Sequence, residues 1–150
     1  MTSFYISMPM RQYIAERARY RCGYCQTQEI VIGMPLQVEH IIPLAAGGTS
    51  DESNLWLACA PCNGYKRVQT HALDPETHKE VPLFNPCTQN WSEHFRWSED
   101  GMYIIGVTSQ GRATVVALKM NRPMICHARQ RWIAVGWHPP HDEKIYPKNI

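Results

Sequence analysis

Two C-x2-C pairs, Cys22-Gly23-Tyr24-Cys25 and Cys59-Ala60-Pro61-Cys62, bracket the stretch Glu39-His40-Ile41-Ile42-Pro43. Asn54 stands ahead of the second pair and Asn63 directly after it. Each pair sets two thiolates on one tight turn, near enough to take adjacent corners of a zinc tetrahedron, so two such turns make a closed four-sulfur site. A closed site is a structural staple, because a catalytic zinc keeps one position open for water. The 33 residues between Cys25 and Cys59 exceed the usual zinc-ribbon spacing, so the segment must fold out and return.

The returning segment carries the groups that hydrolysis of a phosphodiester requires: a base for water, a cation for the phosphoryl charge, and rigid placement of both. His40 is the candidate base, since an imidazole with a pKa of about 6.5 is mostly neutral near pH 7. Glu39 and the side-chain oxygen of Asn63 are hard oxygen donors suited to Mg²⁺ or Mn²⁺. Asn54 can bridge two backbone groups and so hold the loop that bears His40. Taken singly, each has an ordinary alternative: a surface ion pair for Glu39 and His40, a helix cap for Asn63, a turn residue for Asn54. Lys66 either contacts phosphate or packs its stem over Trp56 or Tyr65.

The elements that must position these groups follow from local pattern. Ser7 and Pro9 start a helix that runs to about Tyr20, with Ile14 and Ala18 on its buried stripe and Arg11, Arg17, Arg19 and Arg21 on other faces. Ile30 to Ile32 and Leu36 to Ile41 read as two short strands around Gly33-Met34-Pro35. In the second, Leu36, Val38 and His40 should point one way and Gln37, Glu39 and Ile41 the other. Ser50 or Asp51 caps a helical segment through Asn54 to Leu57, and a further helix runs from Pro61 to about Val68. The resulting order is strand, strand, helix around one cleft.

The string Cys22-x2-Cys25, Val38-Glu39-His40-Ile41-Ile42-Pro43-Leu44, Gly47-Gly48, Asn54-Leu55 and Cys59-x2-Cys62-Asn63-x2-Lys66 resembles the zinc-stapled form of the HNH endonuclease family over about Arg17 to Arg67. In that resemblance His40 is similar to the first His of the motif, Asn54 to its Asn, and Asn63 to its last position, which is often His. The resemblance implies a ββα-metal (His-Me finger) core and general-base hydrolysis that leaves 5′-phosphate and 3′-hydroxyl ends. The substitution at Asn63 removes an imidazole ligand, so the catalytic cation would be held weakly by oxygen.

Beyond the second pair, Asp74-Pro75 and Val81 to Pro86 read as a proline-containing connector. His94 to Trp97 and Met102 to Val107 flank Ser98-Glu99-Asp100-Gly101 as a hairpin, and Gly111 to Met120 and Pro123 to Val135 read as two helices. The expected fold is α+β: a four-cysteine zinc core over 1–72, a connector over 73–90, and a hairpin-plus-two-helices extension over 91–150. Trp91, Phe95 and Trp97 either stack bases or, more in keeping with large aromatics, seal the extension onto the core. Cys87 and Cys126 are spare thiols, His71, His78, His94 and His127 have no ligand-like spacing, and the tail from His138 reads as irregular or loosely docked.

The net charge of +2 does not by itself announce nucleic acid. Its distribution is uneven, however, because Met102 to Val135 contains no acidic residue. Arg112 and Arg129 of that stretch, with Lys66 and Arg67 after the second cysteine pair, are candidate contacts to a phosphate backbone, against the plainer reading of a solvated helix face. The first ten residues lack a signal-peptide pattern and no run of about 18 apolar residues occurs, so a cytoplasmic protein without membrane contact is expected, where six cysteines are better read as ligands than as disulfides. The sequence thus points to a metal-dependent nuclease with structural Zn²⁺, catalytic Mg²⁺ or Mn²⁺ and double-stranded DNA as partner. Its rival is a zinc-stabilised nucleic-acid-binding module without turnover.

Overall fold

The computed structural model describes residues 5–141. Helix α1 (Met8–Arg17) starts where Ser7 accepts the Met10 N–H at 3.2 Å, with Pro9 in its first turn. It ends three residues earlier than the expected Tyr20, because Arg19 and Tyr20 both take left-handed backbone with φ of 54° and 56°. Helix α2 (Glu29–Ile32) is a single turn closed by Gly33, and it replaces the first expected strand. The short apolar run Ile30-Val31-Ile32 has no paired neighbour, and two of its three side chains are exposed. An apolar run this short is compatible with helix or strand, and here Gly33 at φ 68° ends a turn.

The site is built on an antiparallel pair, β1 (Gln37–His40) and β2 (Leu55–Ala58), followed by α3 (Ala60–Lys66). The register sets His40 opposite Leu55 and Glu39 opposite Trp56. Residues 55 to 57 are therefore strand rather than the expected helical segment, and only Glu52–Asn54 makes a 3-10 turn. The reason lies in burial: Leu55 and Leu57 alternate into a cluster with Ile6, Ile14 and Ala18 of the α1 region, which a strand can present and a helix turn cannot. The second strand of the ββα unit is thus β2, with β1 as the first.

The 73–90 stretch is more ordered than a connector. Strands β3 (His71–Leu73) and β4 (Glu80–Pro82) pair across a turn whose Asp74 carboxylate is fully buried. Asp74 accepts from Arg112 Nε and Nη2, each at 2.9 Å, from the Glu76 N–H and from the Thr77 hydroxyl. The hydrogen bonds from the Arg112 guanidinium hold this carboxyl well below the usual carboxylate range. After the short helix α4 (Trp91–His94), β5 (Phe95–Trp97) and β6 (Ile104–Gly106) form the expected hairpin, and helices α5 (Ser109–Ala117) and α6 (Pro123–Ala134) follow. All three sheets are two-stranded antiparallel pairs.

One buried cluster joins the cysteine turns to the C-terminal half: Cys22, Cys25, Cys59 and Cys62 pack with Phe84, Phe95, Ile104, Leu118 and Met120. Trp91 donates its indole N–H to the Tyr24 carbonyl at 2.7 Å and stacks toward Phe95 and Trp97. The aromatics therefore seal rather than stack on bases. His138 is also docked, its ring 4.4 Å from that of Trp97 and its Nε2 donating to the Gly101 carbonyl. The rest of the tail, from Asp142, lies outside the described residues. Among the described residues no helix is long and apolar enough to cross a membrane.

Candidate active site and zinc staple

Cys22 and Cys25 lie on the turn after α1, and Cys59 and Cys62 on the entry to α3, so the folding back of β1 and β2 is what brings the pairs together. Their four Sγ atoms lie within 4.8 Å of one another and all four residues are buried. The Cys25 and Cys59 sulfurs are 3.6 Å apart, close to the tetrahedron edge of about 3.8 Å that zinc–thiolate bonds of about 2.3 Å require. Thr27 Oγ1 lies 3.1 Å from Cys25 Sγ and the Cys62 N–H points at Cys59 Sγ, as second partners of ligating thiolates do. Burial pushes the Cys22 thiol up while its neighbours pull the Cys25 thiol down, an imbalance that a central dication resolves by taking all four as thiolates. The donor set fits structural zinc.

His40 ends β1, half-buried, with Nε2 3.0 Å from Ser50 Oγ. Burial and the positive charge of Lys66 lower its pKa, so the neutral ring is the resting form at pH 7. Asn54 does what a bridging amide can: Oδ1 accepts the Ile42 N–H at 2.9 Å, and Nδ2 donates to the carbonyls of Ile42 and Thr49 at 3.0 and 2.8 Å. Those bonds pin the loop after His40 to the turn carrying Ser50. Asn54 therefore positions, and it does so from a buried place.

Glu39 points to the other side of β1, as strand alternation demands, and is almost fully buried. Lys66 Nζ stands 2.9 Å from its Oε1 and also donates to the Ile41 carbonyl at 2.8 Å. Strict hydrogen-bond geometry leaves both Glu39 oxygens unpaired, yet the Lys66 ammonium at 2.9 Å and the Tyr24 hydroxyl beside it both stabilise the carboxylate. Burial pushes the Glu39 carboxyl up, and the Lys66 charge opposes that shift. Asn63, one turn earlier on α3, donates its Nδ2 to Gln37 Oε1 at 2.7 Å. Two rungs thus link β1 to α3, Gln37 with Asn63 and Glu39 with Lys66. The buried carboxylate suits a cation, and the cation already beside it is Lys66.

The candidate phosphate contacts divide sharply. Arg67 is exposed at the end of α3. Lys66 is buried in the Glu39 pair and is not a surface cation. Arg112 is held by Asp74 and Glu76. Arg129 is fully buried, donating to the Met102 and Met120 carbonyls and to Asn121 Oδ1 with its guanidinium over the Trp97 ring. An arginine on an amphipathic helix carries no mark in sequence that separates a wet face from a core anchor. Sequence reasoning also missed Ser50, Gln37 and Tyr24 as neighbours of the site, although Gln37 was readable as the residue sharing the Glu39 face of an alternating strand.

A ββα unit whose four clustered cysteines suit zinc thus presents one histidine beside a pinned loop. Residues 22–69, about a third of the chain, match the family model described as HNH endonuclease. No curated protein and no solved structure matches the chain.

Proposed function

We propose that the chain is a metal-dependent HNH endonuclease that hydrolyses phosphodiester bonds of double-stranded DNA, with His40 as general base. The observation that carries this reading is the placement of His40 within the matched segment, half-exposed at a strand end and poised as neutral imidazole. The neutral imidazole, oriented by its contact with Ser50 Oγ, takes the proton of the attacking water. Asn54 acts as a positioning residue by fixing the backbone on either side of that histidine. Glu39 and Asn63 would hold Mg²⁺ or Mn²⁺ only with Lys66 drawn off the carboxylate and Asn63 turned from Gln37, and the ion would then offset charge on the phosphoryl oxygens. Arg67 is the remaining surface candidate for a phosphate contact on this unit.

The ion pair between Glu39 and Lys66 favours a second reading, a zinc-stabilised nucleic-acid-binding module without turnover, because it satisfies the carboxylate with an internal cation. Supercoiled plasmid incubated with pure protein across a panel of Mg²⁺, Mn²⁺ and no added metal separates the two. The nuclease reading expects nicking or linearisation that His40→Ala lowers by at least about 10²-fold with DNA binding near normal. A mobility shift without strand breaks at any metal, or cutting undiminished in H40A, overturns it.

A further inference from the structure

Arg129, midway along α6, has no exposed surface. A guanidinium keeps its charge in a protein interior, and a buried charge without an opposite one is strongly destabilising. A carboxylate ordinarily answers it, but among the described residues none does. The Nη groups donate to the carbonyls of Met102 and Met120 and to Asn121 Oδ1, all of them neutral, and Nε has no acceptor. The surrounding stretch, Met102 to Val135, contains no acid that could serve. Cys126 Sγ, 4.0 Å from Nη1, is itself a donor to the Asn121 carbonyl and so supplies no counter-charge.

The other buried charges of the described residues are matched. Glu39 pairs with Lys66 and Asp74 with Arg112, which leaves Arg129 over. The cysteine site is left over in the opposite sense, because four thiolates around one dication remain doubly negative. The two lie in one interior. The Arg129 guanidinium rests over the Trp97 ring at 5.3 Å and bonds the Met120 carbonyl at 2.7 Å, and both Trp97 and Met120 pack on the core that contains Cys22, Cys25, Cys59 and Cys62. Burial pulls the Arg129 pKa down, and the charges that oppose this sit on cysteine sulfurs, Cys25 and Cys62 of the cluster among them.

We infer that Arg129 is the internal counter-ion of the four-cysteine zinc site, so that the C-terminal half completes the metal centre electrostatically. A cation beside the thiolates lowers the cost of gathering four negative charges and thereby raises zinc affinity. The loaded site in turn makes a buried arginine tolerable. Arg129 is no ligand, since a guanidinium has no lone pair to offer, and it acts through the cysteines. The inference concerns the structural metal alone and stands or falls apart from the nuclease reading.

The test is the zinc affinity of the full chain, measured by competition with the chromogenic chelator pyridylazoresorcinol, with circular dichroism of each loaded variant as the check on fold. Arg129→Gln keeps neutral donors for the carbonyls and should weaken zinc binding at least about tenfold. Arg129→Lys keeps the charge without the planar fork and should stay within about threefold of the parent. Arg131→Gln removes a charge from the exposed face of the same helix and should leave the affinity at the parent value. If Arg129→Gln does not fold, the lysine variant decides alone: folded and zinc-loaded like the parent it upholds the inference, and unable to hold zinc it overturns it. Parent-like affinity in Arg129→Gln, an equal loss in Arg129→Lys or in Arg131→Gln, or a parent chain that binds no zinc also overturns it.

Discussion

His40 and His138 are both held below the ordinary histidine pKa, mainly by burial, yet they report through different measurements. For His40 the neutral ring is the competent form, so kcat/KM should fall on acidification through a midpoint below about 6.5, the unperturbed value. A midpoint at or above 6.5, unchanged in H40A residual activity, would assign the limb to another group. His138 is docked between Trp97 and the Gly101 carbonyl, so its pKa of about 4 bears on stability. The unfolded chain takes up this proton near 6.5 and the folded chain resists it until about 4, so stability is flat above pH 6.5, declines as pH drops across that interval, and levels off below it. Allowing for solvent screening, the loss is about 1–2 kcal/mol. Urea midpoints between pH 7 and 4 should show the decline in the parent and a shallower one in His138→Gln, which keeps a donor for the Gly101 carbonyl. Parallel curves for the two proteins would remove His138 as the cause.

At the scale of elements, the loop from Ile41 to Asn54 depends on a close backbone approach. A Cβ on Gly48 would stand 1.8 Å from the Ile42 carbonyl oxygen and 2.9 Å from Asn54 Nδ2, so Gly48→Ala must push apart the strands of contact that Asn54 ties. Thermal melts should show a loss of about 2 kcal/mol or more, with activity lost alongside. Gly64, exposed within α3 and with nothing near its Cβ position, is the matched control: Gly64→Ala should raise stability by about 0.5–1 kcal/mol through helix propensity. Equal responses from the two variants would mean that the loop yields where the packing says it cannot. Elements with local signatures were legible in the sequence: the Ser7 cap and Pro9, the Gly101 turn of the β5–β6 hairpin, and the proline start of α6. Elements set by tertiary partners were not. Leu55 to Leu57 become strand because they pair with β1 and pack on Ile14, and β3 and β4 pair because Asp74 is gripped by Arg112 from thirty-eight residues away. The site divided the same way. The cysteine cluster and the bridging bonds of Asn54 were readable from the sequence, whereas the pairing of Glu39 with Lys66 depends on how α3 crosses β1.

At the scale of the whole molecule, the cysteine cluster is not an isolated staple. Its four sulfurs share one apolar core with Phe84, Phe95, Ile104, Leu118 and Met120, so a zinc held there would stabilise both halves of the chain through a common interior. Two chelation regimes should therefore separate. EDTA at low concentration should abolish cleavage by stripping a weakly held Mg²⁺ or Mn²⁺ while far-ultraviolet circular dichroism and zinc content stay constant, because four buried thiolates retain zinc far more tightly than a carboxylate and an amide retain a hard dication. Removal of zinc with a large excess of phenanthroline should then expose the thiols and, in hydrogen exchange, raise the rates of α1, α5 and α6 together. Their common rise follows from geometry: with the sulfurs repelling one another, Phe84 and Phe95 lose the surface on which they close, and the Trp91 bond to the Tyr24 carbonyl goes with it. Exchange that accelerates only around residues 22–25 and 59–62, leaving α5 and α6 protected, would show that the C-terminal half keeps a core of its own. Loss of fold and of cleavage at one and the same EDTA concentration would show instead that a single metal serves both ends.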